Sequence, residues 1–125
     1  MTESVVEGIN FKDLFASIDA MDTERFLSFI DTAATFRFGS SEAVTGHAAI
    51  RAAVEGFFAS FNALRHDLQR LVADGNAVVC EGEVTYTRHD GSAITLPFVN
   101  IFEVDGGLIS LYRVYIDIAP LFADQ

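Results

Sequence analysis

The sequence predicts an α+β fold, with helices in the first half and an antiparallel meander in the second. Three observations carry this. Up to about Phe61, apolar residues recur at three- and four-residue spacing, the period of a one-sided helix. Beyond Arg65 the period falls to two in four runs: RHDLQRLVADG, NAVVCEGEVTYTRHDG, SAITLPFVNIFEVDGG and LISLYRVYIDI. Between those runs stand Asp74-Gly75, Asp90-Gly91 and Asp105-Gly106-Gly107, and Asp-Gly between alternating segments is a strong hairpin signal.

Taken in order, Val5 to Met21 reads as a helix, with Phe11, Leu14, Phe15 and Ile18 on one stripe. Asp22 is placed to cap a second, short helix over Arg25 to Ile30, with Glu24 in its first turn. The β-branched and aromatic residues of ATFRFG predict a short strand ending at Gly39, and GSSEAVTG a loop. A third helix runs from His47 to about Phe61, carrying Ile50, Val54, Phe57, Phe58 and Phe61 on one side. No repeat, linker or low-complexity stretch interrupts residues 1–125, which read as one domain.

Composition narrows the function. Half of the 125 residues are hydrophobic, with twelve Phe and no Trp, which excludes disorder by composition. The net charge is −10, and one Lys and seven Arg are scattered rather than clustered, so a nucleic-acid surface is not expected. Cys80 is the lone cysteine and reads as a small buried hydrophobe. The opening MTESVVEGINFKD lacks the basic and apolar regions of a signal peptide, and no apolar run reaches the ~20 residues of a membrane span. A cytoplasmic protein with no membrane partner is the expectation.

The polar residue that asks for an explanation is Asn100. It sits among Ile94, Leu96, Phe98, Phe102 and Val104 on the alternating face of ITLPFVNIFEV. Burying an unpaired amide costs about 1–3 kcal/mol, so protein groups or a ligand should satisfy it. If Asp90-Gly91 is a two-residue turn, Glu81 lies across from Asn100. If Asp105-Gly106-Gly107 is a three-residue turn, Tyr112 lies across on the other side. The expected inner row is then Glu81, Asn100 and Tyr112, with Glu83, Thr85, Phe98, Val114 and Ile116 beside it. The expected back face is Val78, Cys80, Val84, Tyr86, Val99, Ile101, Leu111 and Tyr115, apolar enough to serve as a homodimer interface. Register decides both assignments, since a slip of one residue exchanges the faces.

With this order of elements the chain resembles the nuclear transport factor 2-like superfamily, especially its SnoaL-like, polyketide cyclase-like branch. The carriers are the helix ending DAMDTERFLSF, the segment ATFRFGSSEAVTGHAAIRAAVEGFF, the strand VVCEGEVTY and the closing LISLYRVYIDIAPLF. The resemblance implies a cystatin-like cone: three N-terminal helices packed on a curved antiparallel sheet, with a hydrophobic pocket between them. It also implies departures. Ketosteroid isomerases carry an Asp base where Phe38 stands and an oxyanion-hole Asp at Asn100, with a first-helix Tyr near Leu14, so only an amide donor remains here. The Arg and two Asp of limonene epoxide hydrolases correspond to Glu81, Glu83 and Val114, leaving Glu83 as the match.

Two carboxylates on an apolar wall would raise each other's pKa, which suits a general acid or base. Glu83 or Glu81 is the expected proton carrier, unless Arg70 and His66 pair with them. His66 could assist at the pocket mouth as a proton shuttle, or be an exposed strand-start histidine. Asn100 and Tyr112 would hold a ligand oxygen, or bond one another as a satisfied row. Phe38, Phe98, Val114 and Ile116 would line the pocket. His47 reads as a helix cap and His89 as a turn residue. No spacing of His, Cys, Asp or Glu suits a metal, and no phosphate loop or nucleophile elbow appears, so no cofactor is expected. The expected ligand is a small hydrophobic carbonyl compound or epoxide, isomerised, cyclised or hydrolysed. The alternative is a non-catalytic binding or dimeric interaction module.

Overall fold

The computed structural model describes residues 5–123. A small hairpin of β1 (Val5–Val6) and β2 (Ile9–Asn10) precedes α1 (Phe11–Asp19) and α2 (Thr23–Leu27). Then come β3 (Ile30–Phe38), β4 (Val44–Thr45) and α3 (His47–Phe58). The second half is β5 (Ala63–Asp74), β6 (Ala77–Thr87), β7 (Ala93–Asp105), β8 (Leu108–Tyr115) and the short α4 (Ala119–Phe122). The expected α+β architecture is present, with the helices on the concave side of a curved six-stranded sheet ordered β4-β3-β8-β7-β6-β5. The meander is antiparallel, but β3 joins it through a parallel pairing with β8. Among the described residues no helix is long and apolar enough to cross a membrane.

Local chemistry sets the helix starts. The Asn10 side chain accepts from the Asp13 amide at 3.2 Å, so α1 begins at Phe11 and the preceding residues turn back as the β1–β2 hairpin. Asp22 caps α2 as expected, accepting from the Arg25 amide at 3.1 Å. Phe11, Leu14 and Phe15 bury the inner stripe of α1 against the sheet, where Phe11 meets Phe102 at a ring-centre distance of 4.9 Å.

The two hairpins of the meander depart from the expected turns, with different consequences. Between β6 and β7 the last strand pair is Thr87–Ala93, and the Arg88 amide donates to the Ser92 carbonyl at 2.7 Å. That leaves a three-residue loop, His89-Asp90-Gly91, with Gly91 at φ +89°. Asp90 stabilises it by accepting from the Ser92 amide and hydroxyl, at 2.9 and 2.6 Å. The extra loop residue slips the register by one, so Cys80 faces Asn100 while Glu81 faces Val99. Between β7 and β8 the turn is instead the two residues Gly106-Gly107, at φ +61° and +80°, with a bulge near Glu103. Asn100 therefore faces Val114 rather than Tyr112, a shift of two that keeps Tyr112, Val114 and Ile116 on the inner face.

A second bulge lies in β5, where Leu68 pairs with Gly82 and Arg70 with Glu81, leaving Gln69 extra. Gly82 is required there: a β-carbon on it would overlap the Asp67 carbonyl oxygen. The bulge bends β5 and β6 and supports the curvature that makes room for a cavity.

Candidate functional site

The concave face of the sheet and the helices α1, α2 and α3 enclose a cavity of about 260 Å³. Its walls are mostly aromatic and aliphatic, with Phe38 and Phe57 at 4.6 Å and Phe36 and Tyr112 at 5.2 Å between ring centres. Ser41, Glu42 and Ala53 are its exposed lining residues and mark the mouth. No Lys or Arg is among the lining residues.

Of the sequence-expected site residues, Asn100, Tyr112, Phe38, Phe98, Val114, Ile116 and His66 all line this cavity. Glu81 and Glu83 do not. The one-residue slip at the β6–β7 turn puts both on the convex side, exposed to solvent. There Glu81 lies 3.6 Å from Arg70 Nε, and Glu83 accepts from Gln69 Nε2 at 3.4 Å. Neither carboxylate faces the cavity, so neither is placed to serve as its acid or base. The same slip turns Val78, Cys80, Val84 and Tyr86 inward, correcting the back face, while Val99, Ile101, Leu111 and Tyr115 remain outside.

A pair that the sequence reading missed takes the carboxylates' place. Asp19 ends α1, and its Oδ1 lies 2.6 Å from His66 Nδ1 in β5. Asp19 also accepts from the His66 backbone amide, at 3.0 Å through Oδ2. A carboxylate only accepts, so Nδ1 carries a proton, and in the neutral form of the ring the lone pair is on Nε2. Phe15 and Phe98 pack against the ring at 4.9 and 5.2 Å between centres, fixing its plane. One signal was available: Asp19 falls four residues after Phe15, an acid on the buried stripe of the first helix. Its partner 47 residues away was not legible.

Asn100 is 2% exposed, and its Oδ1 has no hydrogen-bond partner among the described residues. Of the two alternatives for Asn100 and Tyr112, the mutual bond of a satisfied polar row does not form among the described residues. Burial pushes the Tyr86 and Tyr112 hydroxyls well above the usual phenol range, and for Tyr112 the nearby Cys80, Tyr86 and Asp19 add to it. Both are therefore protonated near neutral pH. Cys80, fully buried, has its thiol pushed up to about 12 by desolvation, so it is a packing residue and not a nucleophile. His47 uses Nε2 on the Ile30 carbonyl at 2.7 Å. Among the described residues no group of His, Cys, Asp and Glu is arranged to hold a metal.

A curved sheet closed by helices over a cavity with a few inward polar groups defines the pocket proteins of the nuclear transport factor 2-like superfamily. Residues 11–112 match the SnoaL-like domain, and the chain belongs to that family. Solved structures agree on the fold. A putative SnoaL-like polyketide cyclase from Jannaschia sp. CCS1 superposes with a TM-score of 0.81 at 18% identity, covering 97% of this chain and 92% of that one. A putative polyketide cyclase from Xanthomonas campestris gives 0.77 at 20% identity, over 90% and 91% of the two chains. An epoxide hydrolase of M. tuberculosis, described as LEH-like, gives 0.77 at 18% identity, over 96% and 90%. No curated protein sequence matches this one.

Proposed function

We propose that the cavity is an active site in which His66, oriented by Asp19, moves a proton on a small uncharged carbonyl compound or epoxide, without a cofactor. The observation that carries this is the 2.6 Å His66–Asp19 pair on the wall of an otherwise apolar cavity. Asp19 holds the tautomer that leaves Nε2 basic and stabilises the imidazolium that forms. Asn100 and Tyr112 supply neutral polar contacts for the ligand oxygen, where charge develops once the proton moves. Isomerisation, cyclisation by carbon–carbon bond formation and addition of water all begin or end with such a step. The structural neighbours named as polyketide cyclases and as an epoxide hydrolase are consistent with this range.

The test is a panel of flat ketones, lactones and epoxides, read for binding and for turnover. His66→Gln is expected to lower kcat about 10²–10⁴-fold while binding stays within about threefold. Asp19→Asn should lower kcat, because an amide can donate as well as accept and no longer fixes the Nδ1 proton. Full turnover in His66→Gln sinks the catalytic reading. The second reading, a binding module, has its own support: Asp19 also ties α1 to the backbone of β5, a purely structural use of the same pair. Binding without turnover of any panel member would favour it.

The lining also supports discrimination by charge. With no Lys or Arg in the wall, His66 already paired with Asp19 and Glu42 at the mouth, a buried carboxylate would meet no permanent positive charge. Methyl 2-naphthoate should bind at least about 50-fold more tightly than 2-naphthoate by isothermal calorimetry, a difference of ~2.3 kcal/mol. Equal affinities would contradict it.

The convex face supports the homodimer. Val72 and Val79 are paired neighbours, Val79 pairs with Ile101, and Val99 with Tyr115. Val72 and Tyr115 are 52% and 51% exposed, so this apolar strip lies open on the single chain. Arg70 and Glu81 flank it, and a two-fold axis would set unlike charges opposite each other. Light scattering should find a dimer for the wild type and a monomer for Tyr115→Glu; a monomeric wild type removes this interface.

A further inference from the structure

The hairpin between β6 and β7 does more than set the register. Arg88, at its start, reaches the end of the chain, donating from Nε to the Leu121 carbonyl and from Nη2 to the Pro120 carbonyl, both at 2.9 Å. Its Nη1 donates to Ser92 Oγ at 3.1 Å, which steadies the guanidinium on its own loop. The two carbonyls belong to α4, which has four residues and is too short to persist unaided. The stretch from Ile116 onward has left the sheet, yet Ile116 and Ile118 line the cavity and Leu121 is 1% exposed. Its other hydrogen bonds include local ones, from the Leu121 amide to the Ile118 carbonyl and from the Ala119 amide to Asp117 Oδ1.

The other wall is tied to the same hairpin by a different residue. His89 contacts Asn62 Oδ1 through Nδ1 at 2.7 Å and the Ala59 carbonyl through Nε2 at 3.0 Å. This fixes the loop on the C-terminal end of α3, the helix that carries Val54, Phe57 and Phe58 into the cavity. So one wall is a twelve-residue helix, and the other is an irregular segment ending in a single turn. Two charge-assisted bonds from one side chain hold that segment to the hairpin.

We propose that Arg88 is a latch, and that the segment Ile116–Phe122 is the wall that swings when a ligand enters or leaves. Arg88 is a positioning residue: it acts on the cavity only through Ile116 and Ile118. As a route for ligand exchange this rests on the binding role given to the cavity above. The latch itself is separable from that role, because local opening is measurable without a ligand.

Hydrogen exchange on the full chain tests it first. In Arg88→Ala the amides of Ala119 and Leu121 should exchange about tenfold faster or more, with those of β6 and β7 unchanged. Arg88→Lys, which keeps the charge but loses the two-pronged geometry, should fall between. Stopped-flow binding of a neutral fluorescent ketone, 6-acetyl-2-dimethylaminonaphthalene, follows. Arg88→Ala should speed association and dissociation together, each about tenfold, with Kd within about threefold. Unchanged exchange at Ala119 and Leu121 in a folded variant overturns the latch. Faster exchange with unchanged ligand kinetics overturns the gate. Should Arg88→Ala fail to fold, Arg88→Lys and Arg88→Gln carry the same comparison, since both alter the two bonds to the α4 carbonyls. If the wild type does not take up the ketone, the ligand reading of the cavity fails, and hydrogen exchange still decides the latch.

Discussion

Gly82→Ala is expected to lower stability by about 3 kcal/mol, a fall in Tm of about 12 °C for a domain of this size. The added methyl has nowhere to go. It would overlap the Asp67 carbonyl oxygen and crowd the Asp67 carbonyl carbon and Gln69 amide at 3.1 and 3.2 Å, all of them backbone atoms of the neighbouring strand. Backbone in a bulge has no rotamer to change, so relief requires moving β5 itself. That would pull His66, one residue before Asp67, away from Asp19, and activity should fall further than the fraction unfolded explains. Gly56→Ala is the control with the opposite sign. Gly56 lies exposed inside α3 with nothing within 4 Å of the new carbon, so it should gain up to about 1 kcal/mol. Urea unfolding of both variants checks the pair; a Gly82→Ala protein as stable as wild type would mean that the bulge is not held at Gln69.

Phe102→Ala is expected to cost about 3–5 kcal/mol. Phe102 is fully buried at the centre of the aromatic cluster, 4.9 Å from Phe11, 6.4 Å from Phe15 and 4.5 Å from Tyr112 between ring centres. It joins α1, through Phe11 and Phe15, to β8, through Tyr112. The loss would also reach the cavity, because Phe102 supports the ring of Tyr112 from below. With that support gone, Tyr112 can drop into the vacated space and shift its side chain in the cavity wall. Calorimetric unfolding reads the first effect. Ligand affinity at a temperature where the variant is still folded reads the second. A loss below about 1 kcal/mol would show that the cluster collapses around the gap.

The error over Glu81 and Glu83 shows where sequence reasoning gave way. Alternation within β6 separates Val78, Cys80, Val84 and Tyr86 from Glu81, Glu83 and Thr85, the division that the fold adopts. An assumed two-residue turn at Asp90-Gly91 outweighed that pattern. The turn holds three residues because Asp90 captures Ser92, a local contact whose effect on register spreads along the whole strand. At the next hairpin the turn was also misjudged, but a bulge made the net shift even, and Tyr112, Val114 and Ile116 kept their face.

Helix stripes, cap residues, alternating runs and Asp-Gly punctuation by themselves determined the α+β class, the sequence of three helices followed by a four-stranded meander, and the burial of Asn100; the β1–β2 hairpin, β4 and α4 they did not. Each is a property of neighbours in the chain, set by backbone geometry with periods of 3.6 and 2. Only the tertiary structure decided which groups meet. Asp19 finds His66 because α1 crosses the concave side of β5, and Arg88 finds α4 because the chain returns to the β6–β7 hairpin. Such meetings depend on the path of the whole chain, which turn length and bulges set and which no local pattern encodes.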